Sequence, residues 1–251
     1  MIPELSTAQW ILGAACALLV GFSKTGVAGI GIVIVPIMAE VFDPKESTAA
    51  MLLMLIVGDV FAVAWYRRHA VWRTLLSLLP WVMPGILLGW YALGHIDERQ
   101  FKPALGALIL VLAALQILKG RSGEWMEKKL PHAWWFVALV GFVAGFATML
   151  GNAAGGIMSM FLLAKGLKKH EFMGTSAWFY FIVNLIKVPF SANLDLVNPH
   201  TLSFAGLMIP AIAAGAVVGV RVLPILPQKV FDGIVVAIAV LASVRLIVQW
   251  P

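Results

Sequence analysis

Apolar runs of 12 to 21 residues follow one another along the chain, and charged residues gather in the short stretches between them. The runs cover approximately residues 7–22, 26–42, 47–66, 74–94, 103–118, 133–150, 153–164, 172–190, 201–220 and 230–248. They lack the alternation of β-strands and are apolar on all sides, which is typical of helices packed in lipid. The pattern therefore predicts an all-α integral membrane protein, a polytopic helical bundle.

The composition supports the same class and leaves room for little else. Hydrophobic residues make up 61%, charged residues 12%, and the mean hydropathy is +0.95, whereas soluble domains are about 25% charged. A spanning helix needs about 20 residues, so the chain holds roughly eight to ten segments and no extramembrane domain. Cys16 lies inside an apolar run, which excludes a disulfide framework and a thiol metal cluster.

Glycine-rich junctions interrupt the apolar pattern at two places, GFSKTG at residues 21–26 and MLGNAAGG at residues 149–156. A break in a membrane helix exposes backbone polar groups, and these are tolerated only where protein or a wet cavity satisfies them. We therefore expect the two junctions to lie at functional positions. The simpler alternative is that these glycines only allow close helix packing.

The order of features in the first half recurs in the second, at an offset of about 124 to 129 residues. The matched features are Gly21-Phe22 with Gly145-Phe146, Gly29 with Gly155, Met83-Pro84 and Gly89 with Ile209-Pro210 and Gly215, and Leu112-Ala113 with Leu241-Ala242. We predict two repeats, residues 1–125 and 131–251, within one membrane domain. Each repeat is expected to hold a glycine-broken helical hairpin, re-entrant or spanning, followed by three transmembrane helices.

Basic residues mark the cytoplasmic loops of membrane proteins, and here they form three clusters, near residues 67–73, 119–129 and 165–169. The stretch 191–200 has no Lys or Arg and contains Asp195, so we place it outside. Alternation then puts both termini outside and gives the two repeats opposite orientations. The net charge of +6 is explained by orientation in the bilayer, and no nucleic acid partner is expected.

Inverted repeats bring matched helix breaks together at mid-membrane, where free backbone N–H groups and the helix dipole attract anions. Lys24, inside the first break, is the candidate ligand for the substrate charge; alternatively it snorkels or forms a structural ion pair. The remaining candidates supply hydroxyl, amide or backbone donors. These candidates are Ser23, Thr25, Gly26, Gly29, Asn152, Gly155 and Gly156.

Two further charged residues lie within apolar segments. Asp59 is the one carboxylate well inside a spanning run, so we expect it to pair with Lys24, to be protonated, or to carry a coupled proton. Lys187 lies near the outer end of its segment, and we expect it to snorkel.

Thr48 and the pair Thr175 and Ser176 occupy equivalent early positions in the helix that follows each hairpin, so they are expected to line one cavity from opposite sides. Trp178 and Tyr180 would then close this cavity, although aromatic residues at helical spacing more often pack or anchor at the interface.

Several function classes lack their usual residues. All five histidines fall in loops or at segment ends, which removes a ready intramembrane metal or haem site and a Ser-His dyad. We find no phosphate-binding loop, metal-spacing motif or paired carboxylates. No cofactor and no enzyme activity are therefore expected.

The motif GFSKTG followed by GIG at 29–31 and VP at 35–36 resembles the opening of the sulfite exporter TauE/SafE family. STA at 47–49, GDVFA at 58–62 and YRRH at 66–69 resemble the stretch that follows in that family, and the resemblance covers nearly the whole chain. It implies outward transport of small sulfur-bearing anions such as sulfite and organosulfonates. The second half departs from the pattern, because it has no lysine matching Lys24.

The leading hypothesis is thus a secondary transporter, an exporter of small sulfur-containing anions in the bacterial inner membrane, that alternates access at the two glycine breaks. An anion channel, a transporter of another small organic anion, and a membrane enzyme or assembly factor are the alternatives. The expected partners are a small anion and the lipid bilayer, and a homo-oligomer stays open.

Overall fold

The structure is a computed structural model that describes residues 3–26, 31–97, 99–100, 134–167 and 169–222. Within these ranges the regular structure is helical, with no strand. Eight α-helices are present there: α1 Thr7–Thr25, α2 Gly31–Val41, α3 Pro44–Tyr66, α4 Trp72–His95, α5 Trp134–Gly151, α6 Gly155–Ala164, α7 Lys169–Asn193 and α8 Pro199–Val222. The predicted segments 103–118 and 230–248 lie outside the described residues.

Five of these helical segments are long and apolar enough to cross a membrane. They are Thr7–Thr25, Pro44–His69, Trp72–His95, Trp134–Gly151 and Pro199–Val222. The second of these segments, Pro44–His69, contains α3 and is the most buried of the five, with 61% of its apolar window buried. The prediction of a polytopic helical membrane protein is confirmed.

Local sequence sets several of the helix boundaries. Ser6 caps α1 by accepting a hydrogen bond from the Gln9 backbone, while the Gln9 side chain accepts from the Ser6 backbone. Pro44 stands in the first turn of α3, where its missing N–H costs no intrahelical hydrogen bond. The second predicted junction is a helix break, since α5 ends at Gly151 and α6 begins at Gly155. The first is displaced: residues 21–25 form the end of α1, so Lys24 lies in the last helical turn and not inside a break as predicted, and α1 ends at Thr25 before α2 begins at Gly31.

The helices pack crosswise between the two parts of the chain. The first helix, α1, packs along α8, while α4 packs along α5, and α3 contacts α7 and α8. Glycines let the backbones meet closely in the first two interfaces. An added Cβ would lie 1.9 Å from Ile212 O at Gly21 and 2.0 Å from Leu18 O at Gly215.

The interface between α4 and α5 repeats the same arrangement. A Cβ at Gly85 would lie 2.1 Å from Phe142 O, and a Cβ at Gly145 would lie 2.2 Å from Val82 O. In each interface, one glycine on each helix faces a backbone carbonyl of the other. Two close helix pairs, built from different stretches of the chain, thus flank the centre that holds α3 and α7.

Candidate functional site

A buried ion pair joins α1 to α3. Lys24 Nζ lies 2.7 Å from Asp59 Oδ1, with the Lys24 side chain 10% exposed and the Asp59 side chain fully buried. The neighbouring Gly58 makes room for the lysine, because a Cβ there would lie 3.1 Å from Lys24 Cγ. Of the alternatives that the sequence leaves open for these two residues, the structure contains the pair.

Asn184 on α7 completes the shell around the carboxylate. Its Nδ2 donates to Asp59 Oδ2 at 2.7 Å, and the residue is 2% exposed. One carboxylate oxygen, Oδ2, therefore accepts a hydrogen bond from a neutral amide, while the other, Oδ1, lies in ion-pair contact with Lys24. Asn184 was not among the predicted site residues, although it lies 125 positions after Asp59, within the offset of the predicted repeats.

The prediction that Lys187 snorkels is wrong. This lysine is 2% exposed, and its Nζ donates to Thr148 Oγ1 at 3.2 Å and to Asn152 Oδ1. The physical reason is helical spacing: Lys187 follows Asn184 by three residues, so both side chains lie on the same face of α7, towards Asp59 and the bundle interior. Distance from the end of a hydrophobic segment does not reveal which face a lysine occupies.

Asn152 is the link between the second break and two other parts of the site. It lies between α5 and α6 with φ of 54°, in the left-handed region that asparagine tolerates better than most residues. Its Nδ2 donates to the Thr48 backbone carbonyl at 2.9 Å, while its Oδ1 accepts from Lys187. One side chain thus fixes the break against the start of α3 and positions a lysine.

Tyrosine rings border the first lysine and its helix end. Lys24 Nζ lies 4.3 Å from the centroid of the Tyr180 ring, a distance at which the ring face attracts a cation. Tyr66 OH donates to the Thr25 carbonyl at 2.8 Å, which satisfies a backbone group at the end of α1. Of the two aromatic residues expected to close a cavity, Tyr180 lies against Lys24.

The predicted hydroxyl residues form local and interhelical hydrogen bonds. Ser23 Oγ donates to Val20 O, and Thr25 Oγ1 donates to Ala216 O at 2.8 Å across the interface of α1 with α8. Thr48 Oγ1 donates to the backbone of α3, and Thr175 Oγ1 accepts from Val71 N at 2.9 Å. Ser176 is 7% exposed. Thr25 and Thr175 thus hold helices and connections in place.

The remaining predicted residues lie at the breaks or beside α4. Gly26 ends α1, its N–H donating to Phe22 O, while Gly155 and Gly156 begin α6. Gly29 lies outside the described residues. Trp178 packs against Trp72 at 5.2 Å between ring centroids, and its buried Nε1 has no hydrogen-bond partner in the described part of the chain.

The cluster formed by Lys24, Asp59, Asn184, Lys187 and Asn152 contains two cations and one anion, so its formal charge is positive. The partners of Lys187 in the described ranges are neutral oxygens, and the charges of Lys24 and Asp59 both act on it. Burying a charge without a counter-charge is costly in a membrane protein. This arrangement suits the capture of an anion.

No group of three or more His, Cys, Asp or Glu residues that would hold a metal ion occurs among the residues described. Ser159 Oγ is also buried without a hydrogen-bond partner there, one turn into α6.

Comparison with known families agrees with the resemblance noted from the motifs. The model of the family described as sulfite exporter TauE/SafE matches residues 13–246, nearly the whole chain. No curated protein and no solved structure matches the chain.

Proposed function

The chain belongs to the sulfite exporter TauE/SafE family, and from this premise we propose that it exports small sulfur-containing anions as a secondary transporter. The family indicates membrane transport of sulfite or related anions. The finer proposal is that one substrate anion binds at the buried cluster and that the protein alternates access to it. The observation that carries this proposal is a buried lysine, Lys187, whose hydrogen-bond partners in the described residues are neutral oxygens.

The contacts of the lysines explain how such a site would hold an oxyanion. A lysine ammonium has three donors; at Lys187 two of them reach Thr148 and Asn152. Within the described residues the third donor has no partner and is available for a substrate oxygen, and Lys24 has donors beyond the one directed at Asp59. Both cations lie in a low-dielectric region, where their attraction for an anion is stronger than in water.

The crosswise packing supports two inverted repeats, residues 1–125 and 131–251. In this proposal α1 to α4 correspond to α5 to α8, so that α1 on α8 is the counterpart of α5 on α4. The glycine pairs Gly21 with Gly145 and Gly85 with Gly215 then occupy equivalent places, each facing a carbonyl. This register matches Gly215 with Gly85, four residues from the Gly89 that the sequence comparison favoured.

The two helix breaks are the second element of the proposal. Each repeat would begin with a hairpin interrupted at a glycine-rich junction, and half-helix ends near mid-membrane are where inverted-repeat transporters bind substrates. Asn152 connects the second break directly to Lys187. Movement of a hairpin would therefore alter the anion site, which is what alternating access requires.

A channel would need a continuous polar path, whereas the cluster is closed: Asp59 is fully buried and Lys187 is 2% exposed. The proposal consequently favours a carrier. Driving force is available from the membrane potential, because moving one negative charge out of a negative interior gains about 2.3 kcal/mol per 100 mV. The bacterial inner membrane and external termini are part of the same proposal.

The test is counterflow of labelled sulfite in liposomes that contain the purified protein. We expect saturable uptake that unlabelled sulfite or methanesulfonate inside the vesicles accelerates, and loss of this exchange in Lys24→Met and Lys187→Met. Lys45→Met, at the start of α3 and away from the cluster, is the matched control and should exchange normally. Flux that neither saturates nor responds to internal anion would indicate a channel instead.

A further inference from the structure

We infer that Asp59 sets the charge of the accepted substrate, so that the site takes monovalent anions in preference to divalent anions. This inference rests on the proposed function, because it concerns the same anion site. In this inference Asp59 determines specificity, and the substrates are defined as monovalent anions.

The carboxylate of Asp59 supplies the negative charge of the cluster. Asp59 is fully buried and is the counter-ion of one lysine, because Lys24 Nζ lies 2.7 Å from one of its oxygens and Asn184 Nδ2 donates to the other at 2.7 Å. With an ion pair at one oxygen and a hydrogen bond at the other, the carboxylate is a counter-ion that is already in place before substrate arrives. Asp59 thereby cancels one of the two lysine charges in the net formal charge of the cluster.

The rest of the shell is neutral where the structure describes it. The side chains that touch the three charged groups are the amides of Asn184 and Asn152, the Thr148 hydroxyl and the Tyr180 ring. Two lysines against one aspartate therefore leave a single positive charge in the cluster. A bound monoanion brings the total to zero.

A dianion would leave one negative charge uncompensated in the same buried place. The cost of an unmatched charge in a protein interior is several kcal/mol, and one decade of affinity corresponds to about 1.4 kcal/mol. Even after water and side-chain relaxation reduce this cost, a preference of at least about tenfold for the monoanion is expected.

Asp59 on α3 and Asn184 on α7 allow the net charge of the cluster to be varied directly. Asp59 and Asn184 are hydrogen-bonded to each other and nearly isosteric, one carrying the negative charge and the other none. Asp59→Asn raises the formal charge of the cluster by one. The double variant Asp59→Asn with Asn184→Asp moves the carboxylate across one hydrogen bond and restores the original total.

The experiment measures binding of methanesulfonate and of sulfate to the purified full-length protein by isothermal titration calorimetry. These probes have similar tetrahedral shapes, but methanesulfonate carries one negative charge and sulfate two. The native protein should bind methanesulfonate at least about tenfold more tightly. Asp59→Asn should reverse the order, and the double variant should return to the native order.

The possible results separate the inference on charge selectivity from the proposed transport function. Equal or tighter sulfate binding by the native protein would overturn the inference and leave the proposed anion transporter standing, and this arm needs no variant to fold. Failure of the native protein to bind sulfite or either probe would count against the proposed function itself. A double variant that keeps the sulfate preference of Asp59→Asn would show that the total charge does not determine selectivity.

Discussion

Gly21→Ala is expected to destabilise the protein strongly, because the site has no room for a methyl group. The new Cβ would lie 1.9 Å from Ile212 O and 2.7 Å from Ala216 N, both backbone atoms that cannot rotate away. Relief requires α1 and α8 to separate by roughly 1 Å, and overpacking of this kind costs about 1 to 3 kcal/mol. Because the obstacle is backbone, we expect the upper end of this range.

A hydrogen bond on the same interface adds to the cost. Thr25 Oγ1 donates to Ala216 O at 2.8 Å, and its loss on separation contributes about 1 kcal/mol. The total is about 3 to 4 kcal/mol. For a chain of 150 to 250 residues, each kcal/mol lowers the Tm by about 2 to 4 °C, so a fall of about 10 °C is expected.

The measurement is thermal unfolding of the detergent-solubilised protein, followed by the fluorescence of its ten tryptophans. Gly206→Ala is the matched control, since Gly206 lies on α8 with nothing within 4 Å of the added Cβ. That variant should melt at the native temperature or slightly above it, because alanine favours helix. Equal melting temperatures for Gly21→Ala and Gly206→Ala would refute the close-contact argument.

Three further predictions concern the cluster and its supports. Lys187→Met should abolish the thermal stabilisation that added methanesulfonate gives. The Tm without ligand should change little, because the substitution removes a buried charge but keeps the packing. A variant that methanesulfonate still stabilises would exclude Lys187 as a ligand. Asn152→Ala should be less stable than Asn152→Gly by about 1 kcal/mol, because alanine is disfavoured at φ of 54°; equal denaturation midpoints would contradict this strain argument. Tyr66→Phe should cost about 1 kcal/mol through the bond lost to the Thr25 carbonyl, with binding unchanged in calorimetry; weaker binding would place Tyr66 at the site.

The helices could be predicted because a segment that crosses lipid must be apolar and must satisfy its backbone hydrogen bonds within itself. The run 47–66 corresponds to Pro44–Tyr66, and the run 74–94 to Trp72–His95. The junction around Asn152 falls between two helices, whereas in the first junction only Gly26 lies beyond the end of α1 and Gly21 serves close helix packing. Hydropathy detects spanning helices because each segment must suit the lipid around it, whatever its distant contacts in the fold.

The partners within the cluster depend on long-range packing, which the sequence reveals only indirectly. Lys24 and Asp59 stood out as charges inside apolar segments, but Asn184 carries no charge and its role appears only when α7 faces Asp59. Lys187 was misjudged because its distance from a segment end does not define its helical face. Aligning the two proposed repeats at Asp59 pairs it with Asn184, three residues before Lys187.

Crosswise packing also has a consequence for how the chain is made. Thr25 and its acceptor Ala216 are 191 residues apart. The packing partner of α1 is therefore absent until most of the chain has been synthesised. At 5 to 20 residues per second this delay is on the order of ten seconds or more. During that time the glycine face of α1 is open to lipid, to insertion chaperones and to membrane proteases. In a crowded membrane, the same open face offers the α8 of a second copy a place to dock, which makes swapped dimers the expected error of biogenesis.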